Sequence, residues 1–400
     1  MITPPILGPH MFGRGLRNLV AKGFITPFAS SHRCITTSFS AAGEIINFTF
    51  DDGKRASFDS FWLRDHCTCD ECMHPVTKQR ILATFDIRDD ITPVNIKKRD
   101  GTVWVDWGDH CSPYDEAWLK NMSEMYREPS LRVSHPKVWG NYVKLPAVDF
   151  QDFMQRDKSL WKWLEGLSRY GAALIENVQP ADEATTQKAS ERICHLRNSI
   201  FGTSWEFTAD GAIEDLAYSN VALDAHNDGT YCIDSPGIQV FHCTNHDGDG
   251  GETLLVDGFN CANQLSPEHY DILKTFRSPG QYISPTVHMR ADGTIIREDS
   301  FGNLLQIRWN NEDRAPLMRS HEESRKFYAA LKAFNTIVSD KKNQLWFKLN
   351  PGTILYVDNW RVMHGRSAFT GSRSIAGSYM GFEDVYSRLR VLREQFKRVL

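Results

Sequence analysis

Four absences frame this chain of 400 residues. No run of about 20 apolar residues occurs, so no membrane span is expected. Lys and Arg (46) nearly balance Asp and Glu (50), leaving a formal charge of -4, so no global basic field points to nucleic acid. No internal repeat or low-complexity tract is found. The fourth absence is local: the first 43 residues carry neither Asp nor Glu, yet carry Arg14, Arg17, Lys22 and Arg33, with Ser and Thr enriched over residues 30–40. That is the composition of a mitochondrial transit peptide, and a short basic amphipathic helix fits residues 14–24, although Gly15 and Gly23 weaken it. Residues 1–43 are therefore expected to be a leader cleaved before Glu44, with the mature chain in the mitochondrial matrix. The plainer alternative is an N-terminal tail with no address.

What is present is ordinary for a globular chain: 41% hydrophobic and 24% charged residues. The length points to two domains, or one large domain with a satellite. Eleven tryptophans are more than usual, and some are free to line a pocket. Of nine cysteines, Cys67, Cys69 and Cys72 crowd into six residues, while Cys34, Cys111, Cys194, Cys232, Cys243 and Cys261 are scattered. Disulfides within the cluster would be cramped. The pattern reads as a reducing compartment with the cluster as a metal candidate.

Residues 45–107 read as short strands: 45–50 before the turn Asp51-Asp52-Gly53, then 58–63, then 102–107 with Val103 and Val105 on one face and Trp104 on the other. This predicts a small β-rich domain over 44–128, joined by a proline-punctuated linker over 129–146 to a domain spanning 147–400. The larger part opens with predicted helices over 160–170 and 182–200, and strand-like runs follow at 172–175, 237–243, 253–256, 353–357 and 375–380. Helices are predicted after Ser266-Pro267, a serine cap with proline in the first turn, and after Ser320, where Glu323 completes a capping box. Phe327, Leu331, Phe334 and Val338 form the apolar stripe of the latter. The fold class expected is mainly β with flanking helices, a double-sheet jelly roll.

The richest chemistry lies in His226-Asn227-Asp228 and in His364, within Asp358-Asn359-Trp360-Arg361-Val362-Met363-His364-Gly365-Arg366. Two imidazoles and one carboxylate can occupy one face of an octahedral metal and leave three positions open, which suits Fe(II) that binds a co-substrate and O2 together. On an extended strand His226 and Asp228 would point to the same side. A zinc hydrolase can use the same three ligands, but no obvious glutamate base lies nearby and a cation, Arg373, follows nine residues after His364. An arginine fork matches a carboxylate bidentately, so Arg373 is the candidate for the distal carboxylate of 2-oxoglutarate, with the Thr253 hydroxyl as a second contact.

Together with 237–243 (Gly-Ile-Gln-Val-Phe-His-Cys) and 255–259 (Leu-Val-Asp-Gly-Phe), these motifs make the chain resemble the carnitine-biosynthesis dioxygenases from about Phe58 to Leu392. The resemblance implies Fe(II)- and 2-oxoglutarate-dependent hydroxylation on a jelly roll with an N-terminal zinc-binding domain. It leans toward the members that hydroxylate N6-trimethyl-lysine at C3, on Val221-Ala222-Leu223-Asp224, on residues 308–315 and on Ala368-Phe369-Thr370-Gly371. The alternatives are γ-butyrobetaine hydroxylation and a non-catalytic betaine-binding jelly roll. The family also implies a homodimer, and ascorbate as the reductant that keeps iron Fe(II).

A trimethylammonium group donates no hydrogen bond, so aromatic faces must recognise it. The family's aromatic box falls here on Phe201, Trp205, Tyr218 and Tyr379, with Phe201 and Trp205 spaced to share a helical face. Asp215 is the candidate partner of a substrate α-ammonium, and Asn310 or Asn311 of its carboxylate. In the N-terminal domain, Cys67, Cys69 and Cys72 with one histidine would close a structural zinc site. The resemblance selects His110 over His66 or His74.

Overall fold

Side chains alternate across a strand, so a half-buried strand hides every second residue. In Ile45–Thr49 the hidden residues are Ile46 and Phe48, and in Arg55–Asp59 they are Ala56 and Phe58. A computed structural model of the chain describes residues 36–39, 44–125, 132–208 and 219–397. The chain divides into two units, Met1–Glu128 and Pro129–Leu400.

The first unit holds two three-stranded antiparallel sheets. Thr36–Phe39, Ile45–Thr49 and Arg55–Asp59 form one, and Asn95–Arg99, Thr102–Asp106 and Cys111–Asp115 the other. Val103 and Val105 are fully buried while Trp104 is 42% exposed, as the alternation predicts. The predicted strand over 58–63 is corrected. Asp59 ends the strand and caps the helix Ser60–Asp65 by accepting the Trp62 amide, which turns Leu63 into the core. Thr36–Phe39 lies inside the stretch expected as a leader and is paired with Ile45–Thr49; residues 1–35 and 40–43 of that stretch lie outside the described residues.

The second unit is a jelly roll of two facing sheets. The larger has the strand order Ala147–Asp149, Ala172–Glu176, Thr353–Asp358, Ile238–His246, Arg373–Met380, Ser204–Thr208. The smaller has the order Leu223–His226, Val362–Arg366, Thr253–Asp257, Gln344–Phe347. One apolar cluster joins them, with Cys243, Leu355, Val357 and Ile375 from the larger sheet against Leu255 and Val362 from the smaller. Helices cover the outer faces. Asp157–Tyr170 buries Leu160, Trp163, Leu164 and Leu167 and ends at Gly171, whose φ of 76° suits the left-handed cap. His321–Val338 starts with the predicted Ser320/Glu323 capping box and buries its predicted stripe against the smaller sheet.

The helix predicted over 182–200 is shorter, Glu183–Glu191. Beyond it the backbone bonds outward instead of to itself: the Arg197 amide donates to the Tyr379 carbonyl, and Leu196 bridges Met380. Phe201 therefore sits in a turn and Trp205 on the strand Ser204–Thr208, so the two do not share a helical face.

A buried ion pair anchors the end of the smaller sheet. Arg361, fully buried, donates Nε and Nη2 to the Asp257 carboxylate at 3.0 and 2.8 Å and also donates to the Lys137 and Arg169 carbonyls. Removing one partner of such a pair strands the other charge and costs about 3–5 kcal/mol. Arg361→Met is expected to lower unfolding free energy by about that amount, read from urea denaturation, whereas Lys326→Ala on the exposed Lys326–Glu322 pair should change it by under about 0.5 kcal/mol.

Candidate active site

Strand pairing sets His226 directly opposite His364 across the edge of the smaller sheet, and their rings lie 4.4 Å apart. Asp228 is just past the strand end, in the loop that follows. One carboxylate oxygen, Oδ1, lies 3.4 Å from His226 Nε2 and 3.6 Å from His364 Nε2. One ligand atom from each of the three lies within 4.8 Å of the others. The donor set of two imidazoles and a carboxylate fits Fe(II) and leaves positions open.

The surroundings fix each ligand. His226 Nδ1 is 2.7 Å from the Asp224 carbonyl, which keeps the proton there and turns Nε2 inward. Burial drives the His364 imidazole down to about 3, with His226 adding to the effect and Asp228 opposing it, so it is neutral. Burial alone would raise the Asp228 carboxyl, but the hydrogen bond and charge of His226, with the Tyr379 hydroxyl, outweigh it and hold the group well below the usual carboxylate range. Its Oδ2 accepts from Gln239 Nε2 and, at 2.7 Å, from the Tyr379 hydroxyl. Oδ1 alone is thus turned to the histidines. The loop itself is pinned by Asn359, which accepts the Asp228 amide at 2.9 Å and donates to the Asp228 and Pro236 carbonyls. Asn227, between the two ligands, is buried and donates to the Asn359 and Val362 carbonyls.

Arg373 starts its strand with a side chain only 6% exposed, stacked 5.7 Å from the Phe369 ring. Its Nε is buried with no partner, and among the described residues no carboxylate pairs with it. Burial lowers its pKa, as expected of a guanidinium lacking a counter-ion. Thr253 is buried at the start of Thr253–Asp257, two residues after Gly251.

Of the aromatic residues, Trp205 and Tyr379 come together with ring centres 6.2 Å apart, and Phe241 links Trp205 to His364 at 6.4 and 4.9 Å. Gly377 makes the space, since a Cβ there would lie 2.2 Å from Trp205 Cη2. Phe201 packs against Tyr282, with ring centres 6.2 Å apart. Asp215 and Tyr218 lie outside the described residues. Asn311 lines a cavity of about 620 Å³ beside His226, together with Asp224, Glu312 and Arg366. The Asn310 Oδ1 accepts the Glu312 and Asp313 amides.

In the first unit, His110 Nε2 lies 3.4, 3.6 and 3.5 Å from the sulfurs of Cys67, Cys69 and Cys72. A tetrahedral zinc with ordinary Zn–S and Zn–N bonds would set these edges at roughly 3.6 Å. His66 is turned to the Trp62 carbonyl, and His74 accepts the Val76 and Thr77 amides, so neither joins the cluster. Arg64 supports it, donating to the Cys72 sulfur at 3.4 Å.

The sequence reading missed Asn359, Gln239, Phe241 and Asn227 as supports of the site. All four stand inside motifs singled out above, so the signal was proximity; the direction of each side chain was not.

A jelly roll with two histidines and an aspartate converging at its mouth is the architecture of the 2-oxoglutarate-dependent dioxygenases. The chain belongs to the taurine catabolism dioxygenase TauD, TfdA family, which matches residues 133–379, and residues 37–120 match the gamma-butyrobetaine hydroxylase-like N-terminal family. It is 39% identical over 350 residues to the mitochondrial trimethyllysine dioxygenase of Rattus norvegicus, covering 84% of this chain and 82% of the relative. With the trimethyllysine dioxygenase of Meyerozyma guilliermondii it shares 34% over 393 residues, covering 90% and 96%. With the gamma-butyrobetaine dioxygenase of Pongo abelii it shares 29% over 372 residues, covering 88% and 95%.

Outer-shell partners of metal ligands typically carry 10–100-fold in metal affinity. Asn359→Ala, which frees the Asp228 loop, is expected to weaken Fe(II) binding at least tenfold in an oxygen-free titration, without loss of the folded-state circular dichroism.

Proposed function

We propose that this chain hydroxylates N6-trimethyl-lysine at C3, with 2-oxoglutarate and O2 as co-substrates. One observation carries the reading: His226, Asp228 and His364 converge at one end of the jelly roll, while Arg373 is buried with no carboxylate partner among the described residues. The substrate is supported by the trimethyllysine dioxygenases at 34 and 39% identity, against 29% for the gamma-butyrobetaine enzyme.

Bound Fe(II) supplies the oxidising chemistry, in which 2-oxoglutarate, O2 and the C3–H bond yield succinate, carbon dioxide and the C3 alcohol. The chain's part is to hold and orient. His226 and His364 present Nε2, and Asp228 presents Oδ1 because Gln239 and Tyr379 occupy Oδ2. Arg373, with Thr253, takes the distal carboxylate of the co-substrate. Trp205 and Tyr379, with Tyr218 and Phe201, offer π faces to the trimethylammonium group, each worth about 0.5–2 kcal/mol. Asp215 pairs with the α-ammonium and Asn311 with the carboxylate. Holding both ends sets which carbon faces the metal.

Cys67, Cys69, Cys72 and His110 hold a structural zinc that braces the N-terminal domain (44–128) and leaves no position for substrate. Residues 1–43 serve as a mitochondrial leader, and 129–146 as a linker to the dioxygenase domain (147–400). The enzyme acts in the matrix as a homodimer, and ascorbate keeps the iron reduced.

The test is competition. With Fe(II), 2-oxoglutarate and ascorbate, equal trimethyl-lysine and γ-butyrobetaine are offered together and products are identified by mass spectrometry. Predominant 3-hydroxy-trimethyl-lysine is expected; predominant carnitine reverses the substrate assignment, and background succinate with both overturns the activity. Elemental analysis of the purified chain is expected to find one zinc per chain, lost in Cys72→Ser.

A further inference from the structure

Beside Arg373 lies a second polar group that has no partner among the described residues. His246 ends the strand Ile238–His246, and its backbone partner on the neighbouring strand is Arg373 itself. Directly opposite residues of an antiparallel pair project to the same face. Both ring nitrogens of His246, Nδ1 and Nε2, are buried without a hydrogen bond, as is Arg373 Nε. The Phe369 ring touches both, 6.2 Å from the His246 ring and 5.7 Å from the Arg373 guanidinium carbon.

The backbone passes close to both side chains. Gly251 has φ +68°, and a Cβ on it would lie 2.9 Å from His246 Cε1 and 3.3 Å from Arg373 Cδ. Any other residue there would be strained and would crowd both side chains. The carboxylates that act on His246 are engaged elsewhere: Asp247 accepts the Ser372 amide at 2.7 Å, and Glu252 accepts the Ser367 hydroxyl. Lys348 adds positive charge to the same neighbourhood. Buried polar groups are almost always paired, so two orphan nitrogens beside an orphan guanidinium nitrogen mark a place for an acceptor. A carboxylate has about four lone-pair sites, and an arginine fork uses two.

We propose that His246 is a second binding group for the distal carboxylate of 2-oxoglutarate, donating an imidazole N–H to an oxygen that Arg373 leaves open. This rests on the reading of Arg373 given above. It gives Gly251 a reason: a side chain there would crowd both donors.

Calorimetry on the full, Fe(II)-loaded chain without oxygen tests it, using two probes. 2-Oxoglutarate carries the distal carboxylate; 2-oxobutyrate has the same chelating head and lacks it. His246→Leu is expected to weaken 2-oxoglutarate about tenfold and leave 2-oxobutyrate unchanged, and His246→Gln, which keeps an N–H donor, to recover most of the loss. Equal loss for both probes would mark a structural role and overturn the inference. So would unchanged 2-oxoglutarate binding in His246→Leu where Arg373→Met weakens it strongly. If Arg373→Met binds 2-oxoglutarate like the parent chain, the assignment of Arg373 itself fails.

Discussion

The orientation of one carboxylate underlies the whole site. Asp228 lies beyond the end of its strand, where no sheet pairing holds it, and it must still present a single oxygen to two histidines. Asn359 supplies what the sheet does not. By accepting the Asp228 amide and donating to its carbonyl, it makes the loop behave as a strand continued by a side chain. Gln239 and Tyr379 then take Oδ2, and the remaining oxygen has one direction left. Each hydrogen bond to a charged group contributes about 1.5–3 kcal/mol, enough in sum to fix a rotamer firmly.

The same short turn carries the load of the fold. Asp358 pairs with buried Arg132, Asn359 holds the Asp228 loop, Trp360 stacks 4.5 Å from Phe382, and Arg361 meets Asp257. Four successive side chains thus anchor in four directions, tying the larger sheet, the smaller sheet and the C-terminal helix Phe382–Lys397 to the ligand loop. A site placed on so constrained a support loses little conformational freedom when it binds. The aromatic pair shares these parts, because Tyr379 turns its ring toward Trp205 and its hydroxyl toward Asp228.

Much of this was legible in the chain. Strand alternation at Ile46, Phe48, Val103 and Val105, and the Ser320 capping box, are local physics, and local physics survives folding. The three ligands and Arg373 stood out by residue type and setting. What escaped was direction. Residues 192–200 have helical character but bond to Tyr379 instead, so tertiary pairing overrode local preference and left Phe201 in a turn and Trp205 on a strand. Residues 58–63 look like a strand until Asp59 caps a helix. Asn359 and Gln239 are polar residues in apolar surroundings, and only three-dimensional neighbours reveal which backbone group or ligand each satisfies. His246 could not be distinguished from any other histidine until both its nitrogens were found without partners.

The central claim is that His226, Asp228 and His364 close on one ion while the cysteine cluster holds another. Native mass spectrometry of chain loaded with Fe(II) under oxygen-free conditions measures this directly. The expected result is one iron and one zinc per chain, with Asp228→Ala losing the iron and keeping the zinc. Undiminished iron in that variant would contradict the account.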